Sequence, residues 1–354
     1  MLLSGTRVVQ LGCGVTGDIA GGLLTRLGVA VTKVVISPCP ICGDHCDEAE
    51  SWRAGYSALK ACTTRTPDEL AAYFDAEPVA RADAALIDGV SDTLLDSWSA
   101  IAREQRMPSF LFVTVSDERA GEMETSGLGA EAIAGAAGTM GPAEGPPTPL
   151  GFLFGETNAA VRGVAMLIDR LLRDVLHPRP WDDSEWLTEV SAADACIDAM
   201  DGPWQELSLP GSAHDSPNSL SNANYQRTGA QRATLVPYGL LEAGDGWVTL
   251  VGVSTTALLA NGLGRPELMD DERFATVEAR TANREFVIEM LQEWVATFER
   301  GQDFVDLLGN SVVVAKSERL EDIIDDPHDL LGFEHPTTPY RITVGGVPIE
   351  EVAD

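Results

Sequence analysis

The sequence predicts an α/β fold in which a Rossmann-like large domain is joined to a smaller α+β domain. Strand and helix patterns alternate over about the first 120 residues, and this alternation is typical of a parallel sheet built from βαβ units. Beyond residue 225 the pattern changes to a hairpin followed by helices. The length of 354 residues also fits two cores better than one.

The elements of the predicted large domain follow one another in chain order. Gly-rich and Pro-rich stretches separate them, and Thr66-Pro-Asp-Glu has the proline and the acidic residues of a helix start. The predicted strands cover residues 6–12, 29–36, 84–87 and 109–115, and the predicted helices cover residues 19–27, 92–105 and 158–175.

The smaller domain follows a polar linker. Segments 235–241 and 247–253 flank Glu-Ala-Gly-Asp-Gly, which indicates a hairpin, and helices are expected at 255–262, 282–298 and 302–308. We therefore predict a large Rossmann-like domain at 1–200, a linker at 201–224, a small α+β domain at 225–325, and a C-terminal tail at 326–354 that returns to the large domain.

The charge of the chain excludes several classes of partner. The net charge is −31, and Lys33, Lys60 and Lys316 are its three lysines. A field of this sign repels phosphate backbones and anionic lipids, so neither nucleic acid nor membrane is an expected partner. The sequence has neither a run of about 18 apolar residues nor a signal-peptide start, so we expect a cytoplasmic protein.

Six cysteines occur, and four of them are Cys13, Cys39, Cys42 and Cys46. A chain of this size without a secretion signal is expected to keep free thiols. The stretch from Cys39 to Cys46 could ligate zinc, but a structural zinc site normally joins two separated Cys/His pairs and no second pair follows. We therefore expect no bound metal.

A glycine-rich turn follows the first predicted strand. Gly12-Cys-Gly14-Val-Thr-Gly17 fits the pattern that holds a pyrophosphate at a helix N-terminus. A nicotinamide cofactor also calls for an acid after the second strand, and that strand ends in Ile36-Ser37. Asp18, directly after the last glycine, is expected to repel phosphate. The sequence therefore favours a tight βα turn over a nicotinamide site.

One carboxylate precedes the predicted helix at 158–175. Glu156 in Gly155-Glu-Thr-Asn158 lies where a helix dipole stabilises the ionised form, and carboxylates can act as covalent nucleophiles. Acidic residues are also common in the first turn of ordinary helices, so both interpretations stay open here. The five histidines are scattered and form no catalytic spacing.

The order of motifs along nearly the whole chain resembles the class III CoA-transferase family. The motifs that carry this resemblance are Gly5–Gly12, Leu24–Lys33, Gly43-Asp44, Ala82–Asp88, Gly155-Glu156, Asp245–Trp247 and, most specifically, Leu263–Leu268 with Asp270–Thr276. The resemblance implies the two-domain fold, an intertwined dimer, and transfer of CoA between an acyl-CoA and a carboxylic acid.

The resemblance also implies which residues form the site. Glu156 stands where the family has a nucleophilic Asp, and Glu131 follows Ala130 where the racemases of the family have His-Asp. CoA or acyl-CoA is a substrate, and no cofactor is implied. The implied substrate contacts are Gly14, Val15, Thr16, Lys33, Lys60 and Glu131, with backbone N–H groups near Gly14–Gly17 facing developing negative charge.

Several positions depart from the family pattern. Glu156 is one methylene longer than the family Asp, and the positions of two family arginines and one asparagine hold Ile36, Ala61 and Asp88. Three hypotheses follow: an active CoA-transferase; a degenerate subunit that pairs with an active relative; and an enzyme that uses the same fold on a different acyl substrate. The expected dimer is therefore a homodimer or a heterodimer with a related subunit.

Overall fold

A computed structural model describes most of the chain. The described residues are 3–36, 61–65, 69, 82–115, 127–177, 180–200, 227–232, 235–251, 256–309, 312–319, 343–344 and 347–348. Lys60, the Cys39–Cys46 cluster, the helix start at Thr66 and the linker at 201–224 lie outside them.

The chain divides into two compact units. Unit 1 comprises residues 1–134, 151–199 and 338–354, and unit 2 comprises residues 135–150 and 200–337. The segment 135–150, which the sequence analysis placed within the large domain, belongs to unit 2 by this division. The chain therefore leaves unit 1 and returns to it twice.

A parallel six-stranded sheet forms the centre of unit 1. Its strand order is β3-β2-β1-β4-β5-β6, so the direction of winding reverses between β1 and β4. Val8 on the central strand faces Val31 on one side and Ala84 on the other, and all three are buried. The strands are β1 Arg7–Leu11, β2 Ala30–Ile36, β3 Ala61–Arg65, β4 Ala84–Asp88, β5 Ser109–Val113 and β6 Leu187–Ser191.

Five helices of unit 1 are described: α1 Val15–Arg26, α2 Asp92–Gln105, α3 Gly127–Ala134, α4 Phe154–Leu176 and α5 Ala192–Ala199. The buried face of α4 carries small residues at helical spacing, among them Gly155, Ala159 and Gly163. A Cβ on Gly163 would lie 2.5 Å from a ring carbon of Phe112, so this glycine allows α4 to approach β5 closely. A short antiparallel pair, β10 Thr343–Val344 with β11 Val347–Pro348, also belongs to unit 1.

Unit 2 packs helices on a three-stranded antiparallel sheet of order β7-β8-β9. Its elements are β7 Tyr238–Ala243, β8 Gly246–Val251, α6 Thr256–Gly262, α7 Val277–Ala282, α8 Arg284–Val295, α9 Gly301–Leu308 and β9 Val313–Lys316. The turn between β7 and β8 is tied to α9, because Asp245 accepts hydrogen bonds from the Gly301 N–H at 2.6 Å and from Lys316 at 3.0 Å.

The predicted fold class is confirmed. Each predicted strand and helix within the described residues is present, although α1 and α4 both begin four residues before the predicted start. The earlier start of α4 places Glu156 inside the first helical turn. The prediction omitted β3, β6, α3, α5, α7 and β9. None of the helices in the described part has both the length and the apolar run needed to cross a membrane.

Arg280 is the largest polar side chain in the core of unit 2, with 1% of its surface exposed. Its guanidinium donates to the carbonyl oxygens of Phe274 at 3.0 Å and Val236 at 3.2 Å. Burial lowers the pKa of Arg280. Because the planar fork reaches carbonyl groups from two different segments, this side chain joins them within the apolar core.

Arg280→Lys should therefore destabilise unit 2. The lysine keeps the charge but loses the fork, so we expect the free energy of unfolding to fall by about 2–3 kcal/mol. Arg265→Lys is the matched control: Arg265 is exposed and pairs with Glu267, so its replacement should cost less than about 1 kcal/mol. Urea unfolding of both variants measures the difference, and equal losses would contradict the role of Arg280.

Candidate active site

Glu156 is the third residue of α4 and lies on the buried face of that helix. Only 6% of its surface is exposed, and its Oε2 atom has no hydrogen-bond partner among the described residues. A buried carboxylate oxygen without a partner is costly, so such groups in proteins call for an explanation. The first helical turn offsets part of this cost because its dipole favours negative charge.

A second buried carboxylate lies over the start of the same helix. Glu131 on α3 is 3% exposed, and its Oε2 atom also lacks a hydrogen-bond partner among the described residues. Its Oε1 atom accepts from the Phe154 N–H at 3.4 Å, a hydrogen that also points to the carbonyl of Phe152 at 2.9 Å. The first residue of α4 is thus held from α3.

The free thiol of Cys196 on α5 completes this cluster. A Cβ built on Gly155 would lie 3.0 Å from the Cys196 sulfur, 3.2 Å from the Cβ of Ala130 and 3.2 Å from the carbonyl oxygen of Ala192. Small residues therefore let α3 and α5 approach the first turn of α4. We call Glu131, Glu156 and Cys196 the acid cluster.

Burial is the largest influence on the pKa values in the acid cluster, and mutual repulsion contributes to them. Burial raises the pKa of Glu156 above its ordinary value, a hydrogen bond with its own backbone lowers it, and the charge of Glu131 raises it. Burial and then the charges of Glu131 and Glu156 raise the pKa of Cys196 to about 11. The thiol is therefore neutral near pH 7, while Glu156 is a desolvated and more basic carboxylate.

The glycine turn lies at the carboxyl end of β1, beside the point where the strand order reverses, which is the usual ligand crevice of such sheets. Two of its backbone donors contact Asp88. The Gly14 N–H donates to the carbonyl oxygen of Asp88 at 3.2 Å, and the Gly17 N–H donates to the Asp88 carboxylate at 2.7 Å. Asp88 therefore places an internal anion at the N-terminus of α1.

Asp18 was expected to repel phosphate at the glycine turn, but its carboxylate is paired inside the protein. Asp18 is fully buried and accepts from Gln10 at 2.8 Å and from the Lys33 ammonium at 2.5 Å. The charge of Asp18 is thus paired with Lys33 on the side of α1 that faces the sheet. The acid at the glycine turn is Asp88, which lies at the end of β4. Only the three-dimensional pairing of β1 with β4 brings Asp88 there.

The expectation of free thiols fails at Cys13, which is disulfide-bonded. Its partner lies outside the side chains that the structure describes, because Cys196 is a free thiol. The sequence indicated how cysteines behave in such chains on average, but not which of them would form a disulfide.

The predicted site residues that the structure describes belong to α1 and its N-terminus, β2, α3 and α4 of unit 1. Glu156 and Glu131 come together in the acid cluster, whereas Gly14, Val15 and Thr16 form the start of α1. Lys33 is 6% exposed and pairs with Asp18, and Lys60 lies outside the described residues. Their roles in substrate binding stay predictions. Sequence reasoning missed Cys196 and the contacts of Asp88, which it noted only as a departure from the family.

Glu156→Gln should stabilise the protein near neutral pH. The pKa of Glu156 is raised in the fold, so its contribution to stability is fully present below the ordinary glutamate pKa and is lost as the pH rises through the raised value. A neutral amide removes this loss, and we expect a gain of about 1 kcal/mol at pH 7. Chemical unfolding at several pH values tests this, with the exposed Glu104→Gln as control; a loss of stability in Glu156→Gln would contradict it.

Gly12→Ala should disrupt the junction of the glycine turn with β4. Gly12 has φ +96°, and a Cβ there would lie 2.0 Å from the carbonyl oxygen of Asp88. Gly5 has φ +98° with nothing within 4 Å, so Gly5→Ala is a control that shares the backbone strain. We expect Gly12→Ala to lower the free energy of unfolding by about 3 kcal/mol more than Gly5→Ala. Similar losses in urea unfolding would refute the close approach.

Curated proteins with similar sequences span almost the whole chain. A succinyl-CoA:mesaconate CoA-transferase from Haloarcula hispanica is 26% identical, with 98% of this chain and 89% of that protein covered. A succinyl-CoA–D-citramalate CoA-transferase from Chloroflexus aurantiacus is 23% identical, with 92% of this chain and 81% of that protein covered.

Two solved structures share the fold. A hypothetical protein from Mycobacterium tuberculosis superposes with a TM-score of 0.73 at 18% identity, covering 98% of this chain and 96% of that chain. A CaiB/BaiF family protein from Brucella suis gives a TM-score of 0.68 at 19% identity, covering 98% of this chain and 90% of that chain.

A family model matches residues 122–331, more than half of the chain, and its description is CoA-transferase family III. The match includes α3 and α4, and hence Glu131 and Glu156. Together with the ordered motifs of the sequence and the relatives that cover nearly its full length, this match places the chain in CoA-transferase family III.

Proposed function

We propose that this protein transfers CoA between a CoA thioester and a carboxylic acid, with Glu156 as the nucleophile. The observation that carries the proposal is the position of Glu156: a buried carboxylate in the first turn of α4, with an oxygen that no described residue binds. Burial raises its pKa, and a carboxylate stripped of water is a stronger nucleophile than a hydrated one.

The proposed reaction divides one acyl transfer into balanced steps. The Glu156 carboxylate attacks the thioester carbonyl, the carbon–sulfur bond breaks, and CoA leaves as a thiolate while a mixed anhydride forms on Glu156. The thiolate then attacks the Glu156 acyl carbon, which releases the donor carboxylate and leaves CoA on Glu156 as a thioester. The acceptor carboxylate reverses these two steps, so that no net proton is consumed.

The named relatives suggest substrates to test first. Those proteins are described as transferring CoA from succinyl-CoA to mesaconate or to D-citramalate. We propose that this protein likewise uses a small carboxylic acid as acceptor, and succinyl-CoA is the first donor to assay. CoA enters here as substrate, and the proposed site needs no other cofactor.

The quaternary structure belongs to the same proposal. A relative from Chloroflexus aurantiacus is named the alpha subunit of a succinyl-CoA–L-malate CoA-transferase, so some related chains work beside a second subunit. We propose that this chain forms a dimer, with a second copy or with a related subunit. Mass photometry of the purified chain separates the two cases, because a homodimer forms without a partner.

Incubation with succinyl-CoA should leave CoA on Glu156. Mass spectrometry should detect the thioester on the peptide that contains Glu156, and hydroxylamine should release it. Glu156→Gln should lack the adduct and lose at least about a thousandfold in transfer rate, because an amide cannot serve as the nucleophile. Glu104→Gln, an exposed change in the same unit, should behave as the native protein.

Glu156→Asp examines the length of the side chain. Aspartate restores the residue of the family but draws the carboxylate back by about one bond length, and small displacements of a nucleophile can cost about a hundredfold. A rate equal to or above that of the native protein would show that the site still fits aspartate. Absence of an adduct in the native chain, with and without a related subunit, would defeat the proposal.

A further inference from the structure

We propose that Glu131 is a positioning residue for Glu156, one that holds the first turn of α4 and places a negative charge beside the nucleophile. This inference rests on the proposed function, in which Glu156 reacts. It assigns to Glu131 a role that differs from the substrate contact implied by the sequence.

The contact of Glu131 with α4 carries the first half of the proposal. Leu153, the residue before the helix, gives no side-chain cap to α4, and the Phe154 N–H donates to the carbonyl oxygen of Phe152 at 2.9 Å. Glu131 Oε1 reaches that N–H from α3 at 3.4 Å. A carboxylate at this point gives the helix-end donor a second, longer contact and interacts favourably with the dipole, two residues before Glu156.

The surroundings of Glu131 carry the second half. Glu131 is 97% buried, and its second oxygen has no hydrogen-bond partner among the described residues. A carboxylate that served only as a cap would be better placed at the surface, where water satisfies the other oxygen. Its charge instead acts on both other members of the acid cluster, since it raises the pKa of Glu156 and of Cys196.

The other charged groups on the elements packed against α4 are not among those that shift the pKa of Glu156. Asp198 on α5 pairs with Arg162 of α4, Asp18 on α1 pairs with Lys33, and Glu189 on β6 is exposed. Asp194 on α5 and Arg26 on α1 are the other charged groups of these elements. Among the groups that act on Glu156, Glu131 is the charged one.

The chemical consequence concerns the strength of the nucleophile. A carboxylate beside a fixed negative charge holds its own proton more tightly and therefore donates its electron pair more readily to the thioester carbon. Once the anhydride has formed, Glu156 carries no charge and the repulsion from Glu131 is relieved. Glu131 thus favours the acylated form of Glu156 over the unreacted carboxylate.

Glu131→Gln tests the inference directly. The amide keeps the shape and an oxygen that can accept from the Phe154 N–H, but it removes the charge. The protonation of Glu156 is followed by ¹³C NMR of glutamate carboxyl groups, with its signal assigned by comparison with Glu156→Gln. We expect the titration midpoint of Glu156 to move to lower pH in Glu131→Gln and to stay unchanged in the control Glu104→Gln. An unchanged midpoint in Glu131→Gln would overturn the proposal.

Kinetics provides the second readout. Because Glu156 reacts as a carboxylate, the acidic limb of kcat/KM should move to lower pH in Glu131→Gln, and kcat on the plateau should fall by about tenfold because the nucleophile is weaker. Glu131→Ala should lose more, since it also removes the contact with α4. A rise in KM with an unmoved pH profile would indicate a substrate contact and would overturn the proposal.

These readouts separate this inference from the proposed function. The NMR titration needs no substrate, so it reports on the coupling of Glu131 and Glu156 even if no CoA adduct forms. A missing adduct with a shifted midpoint removes the transferase reaction and leaves the positioning role. An adduct with an unmoved midpoint supports the transferase reaction and removes the positioning role.

Discussion

The burial of one carboxylate at the start of α4 is the constraint on which the arrangement of unit 1 depends. A charge removed from water must be offset by a dipole, a hydrogen bond or a neighbouring cation, and none of the described cations is among the groups that act on Glu156. What remains is the hydrogen bond of Glu156 with its own backbone at the helix N-terminus, and the close packing that holds this turn. Gly155 is small enough for α3 and α5 to approach the same turn.

The fold distinguishes a few buried acids within the acidic composition. The chain has a net charge of −31, and among its described acids Asp18, Glu131 and Glu156 are buried. Their environments differ: Asp18 has a lysine partner, while the two glutamates lie near each other. The ion pair of Asp18 suits a structural role, and the two buried glutamates suit the proposed chemical role.

Asp88 is an acid with a third role, which is to accept hydrogen bonds from the glycine turn. At the switch point of the sheet, the amides of Gly14 and Gly17 already donate to Asp88, so they are not available to an incoming phosphate in this arrangement. The same glycines that resemble a dinucleotide site are therefore explained by a close approach of the chain to itself. A Cβ on Gly14 would lie 1.9 Å from the Asp88 carboxyl carbon, which accounts for the glycine without any ligand.

The sequence predicted what depends on local pattern and on motif order, and it failed where distant residues meet. Strand β1, helix α2 and the hairpin β7–β8 follow from apolar periodicity and turn residues, and Glu156 followed from its motif. Strands β3 and β6 were missed because Ala61–Arg65 and Leu187–Ser191 are polar enough to look like loops; both lie at the edges of the sheet. The contact of Asp88 with Gly17 spans 71 residues, so no local pattern could reveal it.

The same reasoning applies to Glu131, whose place in the site stays a prediction. Motif order indicated that it belongs to the site, but its burial and its contact with Phe154 depend on how α3 packs on α4. A family motif preserves position along the chain, whereas the role of a carboxylate depends on solvent, dipoles and neighbouring charge. In this chain the extra methylene of Glu156 and the buried charge of Glu131 belong to one local environment, so a change at either residue alters the conditions under which the other acts.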